Sequence, residues 1–309
     1  VTGPVLVVGE ALIDLVRRRD AGAAEHPGGS PANVALTLGR LGWDARLATW
    51  IGADARGAAI RSWLAESGVR LVPGSDGAAR TPVATATLDA AGAAAYEFDL
   101  EWRLPADVPV DGVVAVHTGS IAAVLEPGGP AVVELVRRAR PHATVTYDPN
   151  LRPALMGEPA AVRDRVEACV ALADVVKVSD EDLGWLFPGA DPMAVARRWL
   201  AAGPSVVVVT FGGDGAAGVA ASGPVRVTAP PVAVVDTVGA GDSFMGALIH
   251  GLGRAGLLGA GRRDRLRGID GATLTSLLQL GVDVAAVTVA RPGADPPRLA
   301  ELPPSPSVP

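Results

Sequence analysis

The sequence predicts an α/β fold in which a mainly parallel central sheet carries helices on both faces, with a small β-sheet added at one edge. Two observations predict it. Short β-branched runs alternate with longer helical patterns along most of the chain, and one region breaks that alternation with two strand-like runs too close together for a crossover helix. The alternating strands are VLVVG near residue 5, ARLATW near 45, VVAVH near 113, TVTYD near 144, DVVKVS near 174 and SVVVVT near 205. Helices are expected over residues 55–67, 129–139, 159–172 and 191–202. In such a sheet ligands bind beyond the carboxyl ends of the strands.

The exceptional region is TPVATATLD and AAAYEFDL, joined by the turn-prone DAAG, which reads as a hairpin. With the strand that continues from Ala11 to Val16 it would form a small sheet, a lid whose strands lie around 11–27 and 69–103; a plain edge extension of the main sheet is the alternative. Residues 1–300 then make one domain, and the proline-rich 301–309 reads as a disordered tail.

Composition narrows the function. The chain has 309 residues, 49% of them hydrophobic and only 4% aromatic, so Ala, Val and Leu must supply most of a core that is ample for a globular protein. Net charge is −6 with the arginines scattered, which argues against a nucleic-acid surface. The densest basic run, Arg262 to Arg267, is interrupted by Asp264 and reads as a solvated loop. Lys177 is the only lysine and stands outside any GxxxxGK[ST] loop, which removes the ordinary P-loop enzymes. No run of eighteen apolar residues occurs and the N-terminal charges follow the first apolar run, so neither membrane span nor signal peptide is expected; a cytoplasmic location is the default. Cys169, in RDRVEACVALA, reads as a small buried hydrophobe.

Three glycine-rich segments carry the chemistry. In DTVGAGDSFMGALIHGL (236–252) Phe244, Leu248 and Leu252 recur at helical spacing, so a helix should begin close to Gly241. Val238 to Gly241 would then offer backbone N–H groups and the positive end of a helix dipole to an anion. Asp242 falls in the first turn, where it reads either as a reacting carboxylate or as a helix cap. HPGGSPANVALTLGRLG also leads into a helix, with Pro31 in its first turn, Gly28 and Gly29 permitting a close backbone approach, and Asn33 suited to a sugar hydroxyl. Asp14 is polar among apolar neighbours and needs a partner, which a hydroxylated ligand could supply. In VVVVTFGGDGAAGV a buried strand ends at Thr210, and Gly212, Gly213 and Gly215 suit either a hairpin turn or an open nucleotide site.

Together these segments resemble the ribokinase-like carbohydrate kinases, the pfkB type. GGSPANVA (28–35) followed by Gly42 and Gly52, and DTVGAGDSFMGALI (236–249), match both family signatures. DPNLRP (148–153), VKVSDEDL (176–183), TFGGDGA (210–216) and VARPGADPP (289–297) extend the likeness over nearly the whole chain. HPGGSPANVA with DPNLR looks most like fructokinases. The resemblance implies Asp242 as catalytic base, with Gly239, Ala240 and Gly241 as the anion hole. It implies Asp14, Gly28, Gly29, Asn33 and Arg152 around the sugar, and Lys177, Ser179, Thr210, Gly212 and Gly215 along ATP, with the adenine near the C-terminal helices.

Mg²⁺ is implied with ATP. Where many relatives have NxxE this chain reads Ser179, Asp180, Glu181, Asp182, which leaves Asp182, directly or through water, as the expected metal residue; Asp236 is the position for a K⁺ ion of the kind that activates some relatives. The implied reaction phosphorylates a primary hydroxyl of a neutral sugar, fructose first. Glu97 and Asp99 in YEFDL would repel an acidic sugar. Kinases of 2-keto-3-deoxygluconate, ribose and nucleosides are the alternatives within the family, and a non-catalytic sugar-binding protein or a dinucleotide-binding oxidoreductase those outside it; the retained Asp242 and the lack of GxGxxG after VLVVGE argue against the last two. Open β edges in the lid suggest a homodimer.

Overall fold

The computed structural model describes residues 3–18, 22–88 and 94–302. The strands are β1 (Val5–Val8), β2 (Leu12–Arg18), β3 (Gly22–Gly28), β4 (Ala45–Ala48), β5 (Arg70–Leu71), β6 (Val83–Leu88), β7 (Ala94–Asp99), β8 (Ala115–Gly119), β9 (Thr144–Asp148), β10 (Val175–Ser179), β11 (Val206–Thr210), β12 (Ala216–Ala220) and β13 (Gly223–Val227). The helices are α1 (Ser30–Arg40), α2 (Ala55–Ala65), α3 (Gly128–Ala139), α4 (Pro153–Met156), α5 (Pro159–Leu172), α6 (Asp180–Leu186), α7 (Pro192–Ala202), α8 (Ala240–Arg254), α9 (Arg263–Arg267) and α10 (Gly271–Val289).

The main sheet runs β13-β12-β11-β10-β9-β8-β1-β4-β5, parallel from β11 to β5 with an antiparallel β12–β13 hairpin at the other edge. Alternation along each strand divides the core in two. Val5 and Val7 of β1 and Val206 and Val208 of β11 join the side chains of α1, α8 and α10, whereas Leu6, Val8, Val207 and Val209 join those of α3, α5, α6 and α7. β1 and β11 are therefore apolar on both faces, as parallel strands covered by helices commonly are. Helix starts follow local chemistry: Asp54 caps α2 by accepting from Gly57 N at 2.8 Å, and prolines stand in the first turns of α1, α4, α5 and α7.

The second sheet has the order β3-β2-β6-β7, with β2 antiparallel to β3 and parallel to β6. It springs from the end of β1 through three residues, Gly9 to Ala11. This corrects the expected extent of the small sheet in one respect. Arg70 and Leu71 pair with β4 at the edge of the main sheet, so the second small-sheet segment starts at Val83 and ends at Asp99. The whole of the turn DAAG and most of the proline-rich tail lie outside the described residues.

The run Arg262 to Arg267 is also not a solvated loop. It contains α9, and Arg263 reaches into the protein to donate through Nε to Asp174 Oδ1 at 2.8 Å and through its terminal nitrogen to the carbonyls of Ala143 and Arg140. Asp174 in turn accepts from Val145 N at 2.8 Å, so the pair pins α9 to the start of β9 and β10. α10, with a mean hydropathy of 1.5, is long and apolar enough to cross a bilayer by composition; it packs Leu274, Leu278 and Val282 into the core beside α8.

Candidate active site

The carboxyl ends of β1, β8, β9 and β10 face the N-terminal turns of α1 and α8, and the polar residues of the motifs gather there. α8 begins at Ala240 after Gly239, whose φ of 76° is left-handed and suits glycine. A Cβ on Gly239 would stand 2.6 Å from Ala294 Cβ, so the turn is also sterically reserved for glycine.

Asp242 lies buried in the first turn of α8, and its carboxylate is not a helix cap. Oδ1 accepts from Ser30 Oγ at 2.7 Å and from Asn150 Nδ2 at 3.0 Å, and Oδ2 accepts from Asn33 Nδ2 at 2.8 Å. The donors come from α1 and from the loop after β9, so a tertiary clamp holds the charge at a fixed orientation. Asn33 Oδ1 is buried and without a hydrogen-bond partner among the described residues.

The glycines of the first motif serve the chain itself. A Cβ on Gly28 would meet Asp14 Oδ2 at 2.2 Å, and one on Gly29, whose φ is 107°, would meet the Glu10 carbonyl at 2.6 Å. The close backbone approach read from the sequence is thus made by Asp14 and Glu10. Asp14, on β2 opposite His26, is pushed up to about 6 by burial, against the lowering influence of Arg152 and His26. Arg152 donates from one nitrogen to Asn150 Oδ1 at 2.6 Å and to the carbonyls of Asn150 and Leu151, which stiffens the loop that presents Asn150 in a left-handed conformation with φ 36°. Asp99 is engaged elsewhere, in an exposed pair with Arg80, so it does not carry the charge argument against acidic sugars.

Lys177, on β10, is almost fully buried and donates to Asp148 Oδ2 at 2.8 Å. Its Nζ lies 2.9 Å from where a Cβ on Gly241 would stand, directly beneath the first turn of α8. Burial alone would lower Lys177, but Asp148 reverses this and raises it above the ordinary lysine value; burial pushes Asp148 up to about 6 against the pull of Lys177. Ser179 caps α6 by accepting from Asp182 N at 3.0 Å, and Asp182 Oδ1 accepts from Leu151 N at 2.9 Å. Of the three acidic residues after Ser179, Asp182 is therefore the one joined to the loop that carries Asn150. Thr210 pairs with Ser179 in register, which sets the turn at Gly212 beside β10. Gly212 and Gly213 have open space around them, whereas Gly215 packs its α-carbon against the end of β13. Asp236 binds Val238 N at 3.0 Å and Gly293 N at 2.9 Å, linking the approach to α8 with the segment after α10.

The model of the pfkB family carbohydrate kinases matches residues 4–300. The chain belongs to the pfkB family of carbohydrate kinases. A fructokinase of Rhizobium leguminosarum bv. trifolii is 34% identical over 82% of this chain and 81% of its own length. An aminoimidazole riboside kinase of Salmonella typhimurium is 31% identical over 81% of each chain. The crystal structure of a fructokinase from Xylella fastidiosa with bound ATP superposes with a TM-score of 0.82, at 27% identity and over 97% of both chains. A pfkB kinase is a ribokinase-like protein, and the large mostly parallel sheet with its small companion is that architecture.

Two residues of this pfkB site lay within the recognised motifs without a role: Ser30 in GGSPANVA and Asn150 in DPNLR, both donors to Asp242. Spacing could not reveal them, because they approach Asp242 across 212 and 92 residues of sequence. Asp148, which opens DPNLRP, and Glu10, which follows VLVVG, were likewise given no role by the sequence.

The buried ion pair yields a pH-dependent expectation. Lys177→Met leaves Asp148 enclosed without its cation, a change that costs about 3 kcal/mol when the acid is ionised. Burial raises the folded value of Asp148 above its unfolded value of about 4, so the folded state prefers the protonated acid. The penalty is smallest at acid pH and grows as pH rises through about 6. Denaturant titrations of both proteins at several pH values measure it, and an equal penalty at about pH 4 and about pH 8 contradicts it.

Proposed function

We propose that the chain transfers the γ-phosphoryl group of MgATP to the primary 6-hydroxyl of fructose. The single observation that carries this reading is the Asp242 carboxylate, held by three side-chain donors in the first turn of α8, next to Gly239, Ala240 and Gly241. In the proposed mechanism Asp242 takes the proton of the attacking hydroxyl while the backbone amides of the turn receive charge on the phosphoryl group. Positioning does most of the work in such transfers, and the clamp supplies it.

Asp14, Asn33 and Arg152 are the proposed sugar contacts, with Gly28 and Gly29 shaping the backbone around Asp14. Lys177 beneath Gly241 would attract the phosphate end of ATP, and Ser179, Thr210, Gly212 and Gly215 would border the rest. The exposed valines 232, 234, 235 and 238, between β13 and α8, offer an apolar surface for adenine. Mg²⁺ would enter with ATP and offset phosphate charge; Asp182, a hard oxygen donor, suits it beside those phosphates. Asp236 is the proposed residue beside K⁺. A cytoplasmic setting accords with ATP as donor.

Fructose is favoured because Asp14 and Asn33 suit neutral hydroxyls and because curated relatives such as the Rhizobium enzyme bear that name. A site built for a hydroxyl discriminates strongly against its absence. ADP release measured with fructose, ribose, 2-keto-3-deoxygluconate and adenosine should give fructose the highest kcat/KM, with a higher rate in K⁺ than in a bulky organic cation. Preference for any other acceptor overturns the sugar, and equal rates in both salts remove K⁺.

The outer strands β3 and β7 of the small sheet are open edges, and the small sheet is the proposed lid and dimer interface. Light scattering should report a dimer; a monomer unaffected by substitutions on those strands contradicts it.

Asp242→Asn is expected to lower kcat by about 10² to 10⁴, the usual loss on removing a general base. The amide fits the clamp if Asn33 turns its unpartnered Oδ1 toward the new Nδ2, so the stability loss stays near about 1 kcal/mol, the worth of a typical hydrogen bond. A folded variant that keeps more than about a tenth of the wild-type kcat defeats Asp242 as base.

A further inference from the structure

Glu10 is the middle residue of the short link that leaves β1, at the same end of the sheet as Asp242, and the reaction described so far does not use it. It is 6% exposed, and its Oε2 is enclosed without a hydrogen-bond partner among the described residues. The residue is fixed from two sides. Its carbonyl lies against Gly29, and the preceding Gly9, with φ 155°, leaves only 2.2 Å between a Cβ of its own and Pro31 Cγ. Ser120 stands beside the carboxyl in a left-handed conformation of φ 51°, its hydroxyl also enclosed and out of hydrogen-bond geometry. The charged groups that face Glu10 are Arg152, from the loop after β9, and Asp242, from α8.

We infer that Glu10 is a positioning residue for phosphoryl transfer, a buried proton-holding carboxyl whose neutral form spares Asp242 and Arg152 a competing anion. The inference rests on the reading of Asp242 as base. Asp242 must be anionic to take the hydroxyl proton, and the Arg152 guanidinium already faces Asp14. A further enclosed anion would repel both Asp242 and the incoming phosphoryl group, in surroundings that exclude water and strengthen the repulsion. Geometry and charge point the same way: burial pushes Glu10 up to about 7, the Arg152 guanidinium pulls it down, and Asp242 raises it further. No proton is transferred to substrate by Glu10; the hydroxyl proton goes to Asp242.

The test is the pH profile of kcat/KM together with carboxyl infrared spectra of the wild type, Glu10→Gln and Glu10→Asp. Wild-type kcat/KM should fall about tenfold between about pH 6 and about pH 8, the limb of a single proton. Glu10→Gln, a permanently neutral mimic, should keep the acid-side rate and flatten that limb to under about twofold, whereas Glu10→Asp should retain a limb. The wild type should also show a protonated-carboxyl band that disappears over the same pH range and is missing from Glu10→Gln. An unchanged limb in Glu10→Gln, or a folded Glu10→Gln inactive at every pH, overturns the proposal. If Glu10→Gln does not fold, the absence of a titrating limb and band from wild type and Glu10→Asp overturns it as well. The infrared band is independent of turnover, so it separates failure of this inference from failure of Asp242 as base.

Discussion

The arrangement of the active site depends on one constraint: a carboxylate taken out of water must be surrounded by donors. Asp242 meets it with three, and they belong to segments that only the finished fold brings together. Ser30 and Asn33 require α1 to stand against α8, and Asn150 requires the loop after β9 to turn through a left-handed residue. The same requirement recurs one layer below. Asp148 and Lys177, on neighbouring strands, answer each other across the sheet and set a positive charge under the glycines of the α8 turn. Negative and positive groups thus alternate from the Asp242 clamp down to Lys177, each held in place by its partners.

The main sheet was readable because its central strands are short runs rich in β-branched residues. VLVVG, TVTYD, DVVKVS and SVVVVT carry that signal in the residues themselves, and each becomes a strand of the predicted kind. The start of α8 was equally legible from Phe244, Leu248 and Leu252. β3 was not legible as a strand from its residues, since GAAEHPG has neither alternation nor β-branched side chains and is extended because β2 lies beside it. Arg263 failed for a related reason. A charged residue in a charged run looks solvated until Asp174 and two carbonyls are seen to converge on it.

Motif reading singled out Asp242, which the fold encloses among three donors, but it did not show which neighbours the small residues around it make room for. Gly28 and Gly29 were expected to admit a ligand, yet Asp14 and the Glu10 carbonyl fill the room that a side chain would take. Sequence alone cannot separate these cases, because a glycine that admits a ligand and one that admits a neighbouring strand are the same residue with the same torsional freedom. The partner of Asp99 was hidden in the same way, since Arg80 lies on the approach to the adjoining strand.

The burial of Lys177 has a consequence for the chain as a reagent. It is the sole lysine, and in the folded protein its amine is enclosed, charged and bound to Asp148. Acylating reagents selective for lysine attack the neutral amine, so they meet no reactive side-chain target while the core stays shut. Any modification at that position requires a motion that uncovers the amine beneath the first turn of α8, and its rate becomes a clock for that motion. The kinase thus contains a built-in chemical reporter of its own breathing, with no lysine on the surface to obscure the signal.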